Sequence, residues 1–397
     1  MSALLLLTFN AGSSTIKVGL FAVESDSAKR IGQGVIDFRH QPLLLQLSND
    51  GDVRNIALKA LVTDDLHDVL DETLNWFATH FSLTDFVSVG HRVVHGGDRF
   101  AGPVAITEDT LATIEALVPL APLHQPQSLR LIRAIQHVRP HLVQSASFDT
   151  AFHRTQTDLV RRFALPRHFF DQGVKRYGFH GLSYRYIAGA LKRQFPELAA
   201  GKVIAAHLGS GASLCAMDAG ASWDSSMGFS TLDGIPMATR CGALDAGVVL
   251  HLLQQENLNA KEIEKILYEQ SGLLGVSGIS ADSRELAASA RPEAQEALAL
   301  FTFRIAGEAA RLATTLGGLD CLVFTAGIGE HQPPVRTAVC KHLAWLGVEL
   351  NEPANAANAS VISTAHSRVT VLVLATDEEQ VIADEAISIL HAQGATA

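Results

Sequence analysis

Three stretches place a cationic or imidazole side chain beside glycine at or after an apolar run: Arg92 in GHRVVHGGDRF, His180 in RYGFHGLSYRY and Arg240 in GIPMATRCGALD. Phosphoryl transfer asks little covalent help of a protein. It needs the charge on the moving group and on an anionic acceptor to be neutralised and aligned, and arginine and histidine in glycine-rich, strand-terminal settings suit that need. Each residue also has a plainer reading. An arginine ending an apolar strand is costly without a partner, so Arg92 points to an ion pair or a ligand. His180, between Phe and Gly, reads equally as a hydrogen-bonded core histidine, and Arg240 as a salt-bridge partner of Asp245. Asp149 in SASFDTAFHRT ends another apolar run, where helix capping is the ordinary role. His124 in APLHQPQSL sits in a proline-stiffened loop. Glu378 falls in the first turn of the last helix, where the helix dipole favours a carboxylate. Glu378 and Asn10 also offer the oxygen ligands that a hard cation such as Mg2+ takes.

Three turns suit a phosphate: NAGSS (10–14), HLGSGAS (207–213) and AGIGEH (326–331). A Gly/Ser turn after a strand aims backbone N–H groups and hydroxyls at one point, as a phosphate oxygen requires. Taken singly, each is an ordinary hairpin loop, because Asn and Gly adopt positive φ cheaply. Three in one chain, each following an apolar strand and two of them alike, point to a nucleotide held between two lobes.

The elements that must position these residues read as α/β. Residues 3–9, 15–23 and 29–38 are short apolar runs broken by Gly, Asn and Asp, a hairpin followed by a third strand. Helical spacing appears over 63–80 and 106–120, with the strand FVSVGHRVVHGG between them. KVIAAHLGSGASLCAMDAG (202–220) repeats the opening pattern of strand, Gly/Ser turn and strand, which suggests a duplicated fold. CLVFTAGIGEH adds a strand running into a Gly-x-Gly turn. AKEIEKILYEQSG reads as a helix stopped by Gly272. The final helix, in TDEEQVIADEAISILHAQG, has Thr376 and Glu379 as a capping box and Ile382, Ala386 and Ile389 on one face.

The chain has 397 residues, 47% hydrophobic and 18% charged, enough for two domains with separate cores. A formal charge of -10 argues against a duplex-binding surface, although a local pocket can still be positive. Cys215, Cys241, Cys321 and Cys340 show no C-x-x-C spacing, so neither a disulfide framework nor a zinc site is indicated, and a reducing cytoplasm fits. No apolar stretch approaches the roughly 18 residues that a membrane span needs. Leu4–Leu7 reads as a buried first strand.

Taken in order, NAGSSTIK, GHRVVHGG, APLHQP, FDTAFH, RYGFHG, HLGSGAS, SMGF, MATRCG, SADSRE, FTAGIGE and ATDEEQVIA resemble the pattern of the acetate kinase family from residue 8 to about 385. The resemblance implies two duplicated actin-like ATPase domains of the βββαβαβα type, 1–150 and 151–376, with a nucleotide cleft between them. Helix 377–392 would pack back on the first domain, and the second would hold the nucleotide site and a homodimer interface. It implies Mg-dependent, reversible transfer of the ATP γ-phosphoryl group to acetate or another short carboxylate, with Mn2+ an alternative metal. By position, Asn10 and Glu378 would hold the metal. Arg92 and Arg240 would clamp the carboxylate and the transferring group, His180 would donate to an equatorial oxygen, Asp149 would position substrate or an arginine, and His124 would support the phosphate region. Val94, Leu123, Phe179 and Thr231 would wall the acyl pocket. The turn at Gly209, Ser210 and Gly211 would meet the phosphates, Asp282, Ser283, Arg284 and the Gly327, Ile328, Gly329 turn would surround the adenosine, and Lys17, His207, Leu208, Glu330 and His331 would also bind the nucleotide.

Several positions depart from the family pattern. Ser210 and His331 replace Asn, Gln125 replaces Asn after His124, Ala243 loses a carboxylate near Arg240, and Thr231 stands where Pro is common. One methylene in such a pocket discriminates by only about 1–3 kcal/mol, so propionate stands beside acetate as acceptor. The changes at Ser210 and Ala243 motivate a second class, a catalytically poor nucleotide sensor on the same fold; a pyrophosphate-using kinase is a third reading, disfavoured by the intact GIGE and SADSRE segments.

Overall fold

The computed structural model describes residues 4–12, 15–24, 27–38, 43–49, 52–60, 66–79 and 85–394. Residue 3, Ser13 and Ser14 of the first turn, and residues 63–65 and 80 of the first expected helix lie outside them. By proximity the chain forms two units, Met1–Phe152 with Asp377–Ala397, and His153–Thr376.

In the first unit β1 (Leu5–Ala11), β2 (Thr15–Val23) and β3 (Ala28–Asp37) form an antiparallel meander, extended by β4 (Leu43–Asn49) and β5 (Asp52–Leu58). On the other side of β1, β6 (Phe86–Val93) pairs in parallel and leads, beyond the short β7 (Val104–Ala105), to β8 (Val143–Phe148). The order is β5-β4-β3-β2-β1-β6-β8-β7. In the second unit β9 (Lys202–Leu208), β10 (Ala212–Asp218), β11 (Ala221–Ser225), β12 (Cys321–Thr325) and β13 (Thr370–Val373) have the order β11-β10-β9-β12-β13. Both central strands thus carry an antiparallel hairpin on one side and two parallel strands on the other, so the repeated sequence pattern is a repeated topology.

Strand alternation splits the first sheet into two faces. Leu5, Leu7, Phe9, Ile16, Val18 and Leu20 pack with apolar residues of the helices His67–Ala78 and Gln125–Val138. Leu6 and Phe21 meet Ala383, Ala386 and Ile387 of the helix Glu378–Ala392 on the opposite face. That helix lies close because the strand beneath it carries Gly90, where a Cβ would stand 2.6 Å from Ile382 Cγ2. Ile382 and Ala386 are buried as the periodicity predicts, whereas Ile389 is only partly covered and Leu390 is buried in its place.

Three local expectations are corrected. The final helix is capped by Asp377, whose side chain accepts from Gln380 N–H, while Thr376 Oγ1 turns to Ser183 Oγ at 2.9 Å. Two adjacent oxygen-bearing residues compete for one cap, and the other has a tertiary partner. Gly272 does not stop a helix: Ala260–Glu269 ends at Gln270, and Gly272, at φ 61, opens the helix Gly272–Ser277. A Cβ there would come within 2.1 Å of the Met237 carbonyl oxygen, so glycine admits the loop that carries Arg240. The GIGEH segment is a short helix, Ala326–His331, and not a turn. Among the described residues no helix is long and apolar enough to cross a membrane.

Candidate active site

In the first unit β1, β6 and β8 run parallel, and the face covered by the final helix gathers polar groups at their carboxyl ends. Asn10 pairs in register with Lys17, and Arg92 with Ser147, two residues before Asp149. Arg92 Nη2 donates to Asp149 Oδ2 at 2.6 Å, and Nε reaches both oxygens at 3.1 and 3.2 Å. Nη1 donates to the Ala11 carbonyl at 3.1 Å and to Asn10 Oδ1 at 3.3 Å. Burial works against the charge on Arg92, but Asp149, with smaller help from Glu378 and Glu379, more than offsets it and raises the guanidinium pKa above its ordinary value. A cation fixed on two sides results, with Asp149 only 1% exposed beneath it.

Asn10 Nδ2 donates to Glu378 Oε2 at 2.8 Å and to Glu379 Oε1 at 2.9 Å. Lys17 Nζ lies 3.8 Å from Glu379 Oε1. Two carboxylates converging on one small polar group give the hard oxygen donors that Mg2+ accepts. Among the described residues no three His, Cys, Asp or Glu side chains meet at a metal-sized site. Val94 is buried just after β6, whereas Leu123 is 42% exposed. His124 begins the helix Gln125–Val138 without capping it through its side chain. Gln125, one of the departures, is a buried brace: it accepts from His95 N–H at 3.1 Å and donates to the His95 carbonyl at 2.9 Å.

The second unit holds another cluster. His180 stands at φ 56 before the helix Gly181–Gln194, and its ring stacks on His207 with centroids 4.3 Å apart and planes at 18°. His180 Nδ1 is 2.8 Å from Ser213 Oγ, and His207 Nδ1 is 2.8 Å from Ser183 Oγ. Beside them the Gly209–Gly211 turn closes with Gly209 N–H on the Gly211 carbonyl, and Ala238 N–H donates to the Ser210 carbonyl at 3.2 Å. This last bond ties the Arg240 loop to the turn through the backbone. Arg240 Nη1 donates to the carbonyl of Thr231 at 3.1 Å, while Asp245 caps the next helix through Gly247 N–H. Phe179 is buried and its carbonyl accepts from His153 Nε2 at 2.9 Å. His153 is pushed down to about 4 by burial, which keeps it neutral.

Asp282 caps the helix Ser283–Ala288 and binds Arg284 through both oxygens, and the Arg284 side chain holds the Asp282 carboxyl below its usual range. Gln332 Nε2 donates to Ser283 Oγ at 2.7 Å, joining this segment to Ala326–His331. A cavity of about 910 Å³, lined by Arg284, Leu298, His331, Gln332, Pro333 and Lys341 among others, adjoins both. Glu330 has a bracing role, accepting from Ala326 N–H at 2.8 Å and Thr376 N–H at 3.2 Å, and His331 is exposed. Gly327 and Ile328 lie in the same short helix; Gly329 and Glu330 carbonyls accept from the fully buried Arg336 at 2.8 and 3.0 Å.

Sequence reasoning missed several of these residues. Glu379 is signalled by the doubled acid in TDEEQ. Tyr184 is marked by its four-residue spacing from His180, and Ser213 by its register with His207. Gln332 and Arg336 carry no comparable mark.

A profile of the Acetokinase family matches residues 5–384. An acetate kinase of Methylocella silvestris is 45% identical over 98% of this chain and 98% of its own. Among solved structures, a propionate kinase from Francisella tularensis superposes with a TM-score of 0.90 at 32% identity, covering 97% of this chain and all of its own. Porphyromonas gingivalis acetate kinase superposes with a TM-score of 0.87 at 34% identity, covering 98% of this chain and all of its own.

Proposed function

The chain belongs to the Acetokinase family, and from that premise we propose that it moves the γ-phosphoryl group of ATP to acetate, giving acetyl phosphate and ADP. Its fold is that of the actin-like ATPases. The observation that carries the reading is the match across residues 5–384, within which every proposed site residue falls.

The chemistry follows from charge. Acetic acid has a pKa in the ordinary carboxyl range, about 4, so the acceptor arrives ionised and no general base is required. One acetate oxygen attacks the γ-phosphorus as the bond to the β–γ bridging oxygen breaks, and ADP leaves with that electron pair. The obstacle is anion meeting anion. In this reading Arg92, held by Asp149, pairs with the acetate carboxylate. Arg240 and the His180 N–H take the oxygens of the transferring group, and the backbone of Gly209–Gly211 takes phosphates. Glu378, Glu379 and Asn10 would hold Mg2+, which when bound neutralises phosphate charge. The cavity beside Arg284 and Gln332 would take the adenosine, and Val94, Phe179 and Thr231 the methyl group. The reading extends to a homodimer in a reducing cytoplasm, supported by four free cysteines and by exposed Leu159, Phe303 and Trp345 on the second unit.

The test is hydroxamate trapping of acyl phosphate from Mg-ATP with acetate, propionate and butyrate in parallel. Acetate is expected to give most product. The likeness to a propionate kinase motivates the second reading, that propionate is preferred, and a higher kcat/KM for propionate would establish it. ATP binding without transfer to any acid would overturn both in favour of a nucleotide sensor.

A further inference from the structure

We propose that Ser213, itself held by Tyr184, fixes His180 as the tautomer protonated on Nε2 and turns that N–H toward the Gly209–Gly211 turn. Ser213 Oγ stands 2.5 Å from Tyr184 Oη and 2.8 Å from His180 Nδ1, and both Ser213 and Tyr184 are fully buried. A serine hydroxyl has one proton to give and lone pairs to receive others. A phenol is intrinsically a more acidic hydroxyl than a serine alcohol and the better donor across so short a contact. Tyr184 therefore donates to Ser213, the Ser213 proton points at Nδ1, and in the neutral form of His180 the single ring proton sits on Nε2.

The backbone sets the pieces in place. Tyr184 lies one turn into the helix that His180 precedes, and its N–H donates to the His180 carbonyl at 3.1 Å. Ser213 is the register partner of His207, whose ring lies flat on His180 and fixes the plane of the imidazole. At Gly211, the point a Cβ would occupy is 3.4 Å from His180 Nε2 and 3.8 Å from Arg240 Nη1. The Nε2 edge and the guanidinium thus flank the same glycine, as two donors for one phosphoryl oxygen cluster must. Ser213 and Tyr184 are positioning residues. Their catalytic consequence rests on the kinase reading; the tautomer does not.

The experiment is long-range 15N–1H NMR of the histidine-15N-labelled full-length protein, with His180 assigned by loss of its signals in His180→Gln. Expected is an unprotonated Nδ1 and a protonated Nε2 for His180, with Ser213→Ala shifting the pattern toward the other tautomer. Tyr184→Phe, which deletes one oxygen and keeps the ring, should shift it in the same direction and serves if Ser213→Ala does not fold. Turnover should fall on the order of tenfold or more in Ser213→Ala, with the KM for acetate changed far less, as for loss of a transition-state donor. A protonated Nδ1 in the unsubstituted protein, or a tautomer unchanged in both variants, would overturn the proposal. If the unsubstituted protein forms no acyl phosphate, the kinase reading fails and the NMR result still decides the tautomer.

Discussion

The pairing of Arg92 with Asp149 separates catalysis from stability at the scale of single residues. Removing one partner of a buried ion pair leaves the other uncompensated at a cost of about 3–5 kcal/mol. Because Asp149 is 1% exposed, Arg92→Ala should lower both turnover and the urea midpoint. The double variant Arg92→Ala with Asp149→Asn should recover most of the midpoint and none of the turnover; recovery of turnover would show that Arg92 does not touch the acceptor. Arg240 donates to two uncharged groups, the Thr231 carbonyl and the Met237 sulfur, in place of a carboxylate such as Asp149. Arg240→Ala should therefore cut kcat by about 10²–10³-fold while shifting Tm little, the pattern expected of a donor to the transition state. These two arginines, Asn10 and Glu378 were legible in the sequence because residue type and setting both marked them. Ser213 and Tyr184 were not, since each acts through a neighbour that only helix spacing or strand register identifies.

At the scale of elements, the close seat of the helix Glu378–Ala392 on the first sheet governs where its two N-terminal carboxylates stand. Gly90→Ala puts a methyl 2.6 Å from Ile382 Cγ2 and 3.1 Å from the Ile382 carbonyl oxygen, so the helix must shift. We expect this variant to need more Mg2+ for half-maximal activity and to lose stability, both read from a Mg2+ titration and a thermal melt of the same preparation. A melt and titration matching the unsubstituted protein would show that the helix does not set the carboxylates. Gly307, exposed in the helix Pro292–Leu316 with nothing within 4 Å of its added Cβ, is the contrast: Gly307→Ala should stabilise by about 0.5–1 kcal/mol. Strands and helices were readable from apolar period, and the duplication from the paired Gly/Ser turns. Ends were less so. Thr376 and Asp377 compete for one cap, and Gly272 answers to the Met237 carbonyl, a tertiary neighbour absent from local sequence. Arg336 gave no signal because its partners are carbonyls of Gly329, Glu330 and Asn355 and the side chains of Asn355 and Asn358.

For the whole molecule, buried histidines set the acid limit. His91, His95 and His153 are each pushed down to about 4, chiefly by burial, from an unfolded value of 6.5. Between those values the unfolded chain binds protons that the folded chain refuses, so the histidine contribution to stability falls as pH drops from 6.5 toward 4 and levels off below. Each fully linked histidine contributes a slope of about 1.4 kcal/mol per pH unit. The unfolding free energy from urea titrations should decline over this window, and His91→Gln should decline less steeply; an equal slope would exclude His91 as a source. The order in which the chain is made adds a different constraint. Asn10 is synthesised 368 positions before its partner Glu378, and the cover for Gly90 comes only with Ile382. A nascent chain emerging from the ribosome must therefore carry its first sheet half-clad until the helix Glu378–Ala392 has been made. A message truncated after residue 376 would yield every described strand of both sheets without Glu378, Glu379 or the apolar face of their helix, leaving one side of the first sheet uncovered.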